Sequence, residues 1–325
     1  MASQPDFFDK LKDTLIRELP ECLDLIGVER LSGGASMETY RLRITTPSGE
    51  QLLCMRRGAG GIDRDNVSAV GLATEALLMR TAKGHGVAEP QIHYELEPAD
   101  GVGVGFVMEW LSGETLGSRI VRSSDLDGVR PLLAEQCGRE LAKIHAIDVD
   151  ATGLRGRLQV LSAAEYVDQA WGRYRDWNTA QQMIDFTGRW LKENLPEETE
   201  YRLVHNDFRN GNLMVNAEEG LQAVLDWETS YIGDPMRDIG CICTNSWRFG
   251  ERQLQVGGFG ELEDLIKGYE AESGWVVNRE AVRFWEVFGS FWWAIGCLGM
   301  ADQYRTGPDA TVERPAIGRR SSECQ

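Results

Sequence analysis

Between Phe7 and Ile26 the apolar residues Phe8, Leu11, Leu15, Ile16 and Leu19 recur at helical spacing, which predicts an amphipathic helix packed outside the core of a first lobe. From Val28 to Ile44 the period shortens to two. A short strand leads to the turn-forming run Ser32-Gly33-Gly34-Ala35-Ser36, and alternation resumes from Thr39 to Ile44. Pro47 to Glu50 reads as a turn and Gln51 to Arg57 as a third strand, giving a β-meander. Ala69 to Ala82 spaces Val70, Ala73, Leu77 and Leu78 as a helix, with Gly84 and Gly86 suited to its C-terminal cap. Strands return at Ile92 to Leu96 and Val102 to Trp110, around a turn at Pro98 to Gly101. Beyond the connector Ser112-Gly113-Glu114 the pattern is mainly helical: Val129 to Ile147, Ala163 to Trp177, Met183 to Asn194, Leu262 to Ser273 and Glu280 to Tyr304. Thr306 to Gln325 reads as irregular.

The order of elements predicts an α+β chain: a small antiparallel sheet lobe with one helix over 1–110, then a larger, mainly helical lobe over 111–325. A ligand site is expected in a cleft between two such lobes. The 325 residues, 42% hydrophobic and 26% charged, suffice for one large core or two adjoining ones. Met1 to Lys10 lacks the basic start, apolar run and cleavage site of a secretory signal, so a cytoplasmic location is expected. Phe284 to Met300 is the most apolar stretch. Interrupted by Glu286 and shorter than the roughly 20 residues that span a bilayer, it reads as a buried helix, and no membrane partner is expected. The seven cysteines form neither an even framework nor a repeated C-x-x-C pair, which fits reduced thiols. Cys241 and Cys243, with no histidine or second cysteine pair nearby in sequence, read as core residues. A formal charge of -17 opposes sequence-independent nucleic-acid binding, because that requires Lys and Arg against phosphates. The acidic balance reads as a solvated surface and is compatible with a cationic ligand.

Chemistry concentrates in one segment. Leu203-Val-His-Asn-Asp-Phe-Arg-Asn-Gly-Asn-Leu-Met-Val-Asn216 is followed by Ala223-Val-Leu-Asp-Trp-Glu228. Phosphoryl transfer needs a carboxylate at the incoming hydroxyl and oxygen ligands for magnesium at the phosphates. Asp207 and Asn212, five residues apart, allow one loop to aim a carboxylate at the nucleophile and return an amide oxygen towards the metal. The apolar run Ala223-Val224-Leu225 reads as a strand that delivers Asp226 at its end.

His205-Asn-Asp207 with Asn212, and then Leu225-Asp226-Trp227-Glu228, resemble the catalytic and metal-binding motifs of the aminoglycoside phosphotransferase and choline kinase family, which shares the protein-kinase-like two-lobed fold. The resemblance runs from about Leu31 to Arg320 and is nearest to a bacterial branch similar to the kinase-like domain of animal acyl-CoA dehydrogenase fusion proteins. It implies ATP and Mg2+ as cofactors, Asp207 as the residue that activates the hydroxyl, and Asn212 and Asp226 as metal ligands. By the same resemblance Arg209 faces the transferred phosphoryl group, while His205 braces the loop. Ser32, Gly33, Gly34 and Ser36 correspond to the loop over the nucleotide phosphates, where glycines admit a close approach of backbone amides. Arg56 takes the place of the kinase lysine on its strand, with Arg57 on the opposite face, and Glu75 matches that cation's helix partner. Val107 to Leu111 resembles the hinge, where backbone groups of Glu109 and Leu111 meet the adenine edge. Asp238, after Gly233-Asp234-Pro235, is implied to hold the catalytic loop in shape, and His145 reads as a core or capping histidine. The aromatic set Trp171, Tyr174, Trp177, Trp247, Trp292 and Trp293 divides between core and acceptor pocket. The resulting expectation is a kinase of small-molecule hydroxyls with a hydroxyacyl-CoA-type acceptor. The alternatives are an aminoglycoside O-phosphotransferase and a nucleotide-binding pseudokinase, the latter suggested by arginine in place of lysine at 56.

Overall fold

The computed structural model describes residues 4–31, 37–62, 69–177, 179–307 and 311–324. The chain forms two compact units: Met1–Ser112 together with Asp226–Thr229, and Gly113–Leu225 together with Ser230–Gln325. The first is a small antiparallel sheet lobe and the second a larger helical lobe, so the architecture is two-lobed α+β.

In the first unit α1 (Gln4–Glu18) is followed by β1 (Asp24–Arg30), β2 (Met37–Thr46), β3 (Gly49–Gly58), α2 (Leu72–Gly84), β4 (Ile92–Leu96) and β5 (Gly105–Glu109). The sheet order is β1-β2-β3-β5-β4, antiparallel throughout. Alternation along β2 buries Tyr40, Leu42 and Ile44, which meet Leu53 and Met55 of β3. Leu11 and Leu15, one helical turn apart on α1, close over this face and are fully buried. The helix expected through Ile26 stops eight residues earlier. Pro20 disfavours helix in the residue before it, and the Leu23 N–H then donates to the Thr45 carbonyl at 2.8 Å, starting the sheet edge. Tertiary pairing thus takes Asp24 to Arg30, part of which also fits the helical period, as a strand.

The second unit contains α3 (Gly117–Arg122), α4 (Leu133–His145), α5 (Ala163–Asp176), α6 (Gln182–Glu193), the short strands β6 (Arg202–Val204), β7 (Leu213–Asn216), β8 (Gly220–Val224) and β9 (Tyr231–Gly233), then α7 (Met236–Ile242), α8 (Leu262–Ser273), α9 (Arg279–Thr306) and α10 (Glu313–Gly318). Strands pair as β6-β9 and β7-β8. α4 and α8 approach backbone to backbone: a Cβ at Gly138 would collide with the Leu265 carbonyl oxygen, and one at Gly268 with that of Glu135. α9 supplies the core aromatics Phe284, Trp285, Phe288 and Phe291. No helix among the described residues is long and apolar enough to cross a membrane. Cys241 and Cys243 are buried free thiols. The C-terminal stretch expected to be irregular instead forms α10 and a 3-10 turn over Arg319–Cys324. Arg320 lies 5.4 Å from the Trp293 ring and Ser321 is buried, so packing onto α9 supplies order that local periodicity does not announce.

Candidate active site

β6 leads directly into the loop that carries the motif residues, and β7 and β8 bring the chain back to Leu225. Asn206 adopts φ 73°, a left-handed conformation that asparagine tolerates better than most residues. In this conformation two successive amides reach one carboxylate: His205 N donates to Asp238 Oδ2 at 2.8 Å and Asn206 N to Oδ1 at 2.6 Å. Asp238, in the first turn of α7, is fully buried. Burial alone would raise its pKa, but the hydrogen bond to His145 and the charge and amides around it hold it below the ordinary aspartate value. His145 lies 3.1 Å from Asp238 Oδ2 through Nε2 and 3.0 Å from the Tyr269 hydroxyl through Nδ1. The imidazole thus bridges the Asp238 carboxylate and the Tyr269 hydroxyl, one ring nitrogen to each.

Asn206 is clamped from the other side, its Nδ2 donating to Tyr166 at 2.7 Å and its Oδ1 accepting from Arg237 Nε at 3.1 Å. Asn210, fully buried, donates from Nδ2 to the carbonyls of Trp247 and Gly257, each at 2.8 Å. Between these anchors Asp207 accepts from Arg209 Nε at 3.0 and 3.1 Å and from Asn212 Nδ2 at 2.7 Å. Committing the amide nitrogen of Asn212 to a carboxylate and to the Asp207 carbonyl (2.9 Å) assigns Oδ1 as its outward acceptor. The Arg209 guanidinium also lies 4.8 Å from the Trp247 ring, a cation–π contact that fixes the side chain's direction. His205 turns away from Asp207: its Nε2 lies 3.1 Å from the Leu225 carbonyl, and Leu225 N donates to the Asn212 carbonyl at 2.8 Å. The residue immediately before Asp226 is thereby pinned to the loop that carries Asp207.

Asp226 itself belongs to the first unit and has φ 70°. Its Oδ1 accepts from Arg56 Nη2 at 2.5 Å, and the same guanidinium nitrogen lies 3.4 Å from Glu75 and 3.9 Å from Glu228. Burial opposes the charge on Arg56, but Glu75, Asp226 and Glu228 outweigh it and keep the guanidinium protonated. Arg57 points to the other face of β3, where its Nε donates to Glu38 at 2.7 Å. β5 ends at Glu109, whose N–H is taken by the Gln91 carbonyl at 2.8 Å, and Leu111 follows outside any helix or strand. Ser32, Gly33, Gly34 and Ser36 lie outside the described residues.

An amide oxygen on Asn212 and a carboxylate on Asp226 are hard oxygen donors of the kind magnesium takes, and the set contains no competing thiolate or imidazole ligand. Each residue taken by itself thus has the donor chemistry that magnesium requires. Sequence reasoning missed Asn210 and gave no role to Glu228. Asn210 is flanked by Arg209 and Gly211 in the quoted motif, but its partners come from the loop after α7, some 40 residues on.

A small antiparallel sheet lobe in which half-buried Arg56 faces buried Glu75, and a helical lobe whose loop presents Asp207 and Asn212, make up the protein-kinase-like fold. The chain belongs to the phosphotransferase enzyme family, whose sequence profile matches residues 27–275. It is similar in structure to an aminoglycoside phosphotransferase, so described, from Ralstonia eutropha JMP134, with TM-score 0.76 and 23% identity over 97% of this chain and 95% of that one. A macrolide 2′-phosphotransferase from Brachybacterium faecium matches with TM-score 0.64 and 18% identity, over 96% of this chain and 97% of that one. In sequence it is similar to acyl-CoA dehydrogenase family member 10 of Mus musculus, 29% identical over 65% of this chain, and to family member 11 of Gallus gallus, 28% identical over 73%. These matches take in only 19% and 30% of the relatives' own lengths.

Proposed function

We propose that the chain transfers the γ-phosphoryl group of ATP to an alcohol oxygen of a small molecule in a magnesium-dependent reaction. The observation that carries this reading is the Asp207 carboxylate, held between Arg209 Nε and Asn212 Nδ2 on a loop clamped by Asp238. Asp207 orients the acceptor hydroxyl and takes its proton as the new bond to phosphorus forms. Arg209, within reach of that carboxylate, offers a guanidinium to the charge that spreads over the transferred oxygens. Asn212 and Asp226 would hold magnesium, which neutralises phosphate charge when bound. Arg56, the cation beside Glu75 and Asp226, is assigned to the nucleotide phosphates, with Glu75 orienting it.

For the acceptor, aminoglycoside-type antibiotics have the broader support among the solved relatives: two are described as aminoglycoside phosphotransferases, and two others are complexes with kanamycin and gentamicin. A hydroxyacyl thioester draws its support from the partial match to acyl-CoA dehydrogenase family members. A coupled ADP-release screen over aminoglycosides, choline-like alcohols, sugars and hydroxyacyl-CoAs identifies it. With the responding acceptor, Asp207→Asn should lower kcat by about two to four powers of ten, the usual worth of a general base, and leave ATP affinity within a few fold. Unchanged turnover in that variant removes Asp207 from the mechanism. ATP binding without product from any acceptor class in the screen favours a nucleotide-binding module instead.

A further inference from the structure

The loop after α7 is fixed from within. Arg248 Nη2 donates to the Cys243 carbonyl at 2.7 Å and to Glu286 at 2.6 Å, and its Nη1 donates to the Arg252 carbonyl at 3.1 Å. Phe249 is held at φ 47°, a conformation costly for a bulky side chain, and a Cβ at position 117 would come within 2.7 Å of its ring. Glycine at 117 therefore admits the ring. This loop is also joined to the candidate active site, since Trp247 receives the Asn210 hydrogen bond through its carbonyl and the Arg209 guanidinium on its ring.

Beside it lies a pocket of about 430 Å³ whose charged lining is Arg122, Arg252, Arg320 and Glu323, with Phe249 and Asn245 in the uncharged part of the wall. Arg122 is positioned by a hydrogen bond from Nη2 to the Phe249 carbonyl. Arg320 is set by Glu323, at 3.0 Å from its Nε, and by the Trp293 ring. Arg122 and Arg252 have no carboxylate partner among the described residues. Three guanidinium groups around one carboxylate, in a chain of formal charge -17, make this concavity a local reversal of the molecule's charge. Guanidinium forks match phosphate oxygens in pairs. The volume exceeds what a bare phosphate ion fills, which leaves room for the body that carries it. We infer that this pocket is a phosphate-binding site beside the catalytic loop, and, resting on the phosphotransferase reading above, that the phosphate belongs to the far end of the acceptor.

Isothermal titration of the full chain, without nucleotide, with inorganic phosphate and separately with glycerol phosphate tests this. Both probes should bind the wild-type chain, and the Arg122→Gln/Arg252→Gln pair should weaken both by about tenfold or more, as expected for lost charge-assisted hydrogen bonds. Arg252→Gln alone, which removes no other hydrogen bond of that side chain among the described residues, should weaken them in the same direction with an unchanged thermal midpoint. Repeating the titration with a non-hydrolysable Mg-ATP analogue present separates this site from the nucleotide's. Tighter binding of glycerol phosphate than of inorganic phosphate supports an acceptor-borne group. Equal binding of the two supports a site for the free ion and overturns the acceptor assignment. Affinities that are the same in wild type and variants, or no binding at all, overturn the site. Because the readout is binding without turnover, failure of the phosphotransferase reading leaves it interpretable.

Discussion

Asp238 shows how much of the candidate site rests on a residue that has no assigned contact with substrate. Its carboxylate receives two loop amides and the His145 imidazole, three hydrogen bonds in a fully buried position. Because its folded-state pKa is depressed, its contribution to stability is complete above the unfolded aspartate value near 3.9 and is lost as pH falls through the lower folded value. Asp238→Asn should therefore cost roughly 3–5 kcal/mol at neutral pH, the range for breaking a buried charged network. The gap to wild type should narrow on acidification below about pH 4. Urea unfolding across that range checks this. A gap independent of pH would mean that the carboxylate's charge is not what holds the loop.

Among the elements, the α4–α8 pair is the most sharply specified by single atoms. Gly138 and Gly268 each face a backbone carbonyl of the partner helix with no room for a methyl group. The pair also supports the site, because His145 at the end of α4 and Tyr269 on α8 form the relay behind Asp238. Gly268→Ala should raise helix propensity by up to about 1 kcal/mol, yet the overpacking it forces costs about 1–3 kcal/mol, so a net loss of stability is expected. A thermal midpoint at or above wild type would show that the helices can separate without penalty.

On the scale of the whole molecule, the formal charge of -17 acts on stability through self-repulsion. Many of the ion pairs are exposed, such as Lys192–Asp168 and Arg279–Glu263, and each contributes little. Screening the net repulsion should outweigh screening these pairs. The thermal midpoint is thus expected to rise as sodium chloride is increased from about 0.01 M to about 0.15 M, as the Debye length shrinks from about 30 to about 8 Å. A falling midpoint would show that attractive pairs dominate the surface.

The sequence alone determined what depends on local order and residue chemistry. Period-two alternation in β2, the helix at α8, and the five-residue spacing that brings Asn212 back to Asp207 were all legible, because strand pleat, helix face and loop length are set within a few residues. Tertiary structure decided what depends on distant partners. Strand pairing with β2 overrode the helical reading of residues 24 to 26, and packing on α9 ordered the C-terminal residues. The anchoring of Asn206 by Arg237 and Tyr166, and of Asn210 by the loop after α7, joins residues some 30 to 47 apart in sequence. The same limit applied to Arg56, whose third carboxylate, Glu228, lies 172 residues away along the chain. Hydrogen bonds and ion pairs are short-ranged in space and indifferent to separation along the chain, so a pattern read in a local window cannot contain them.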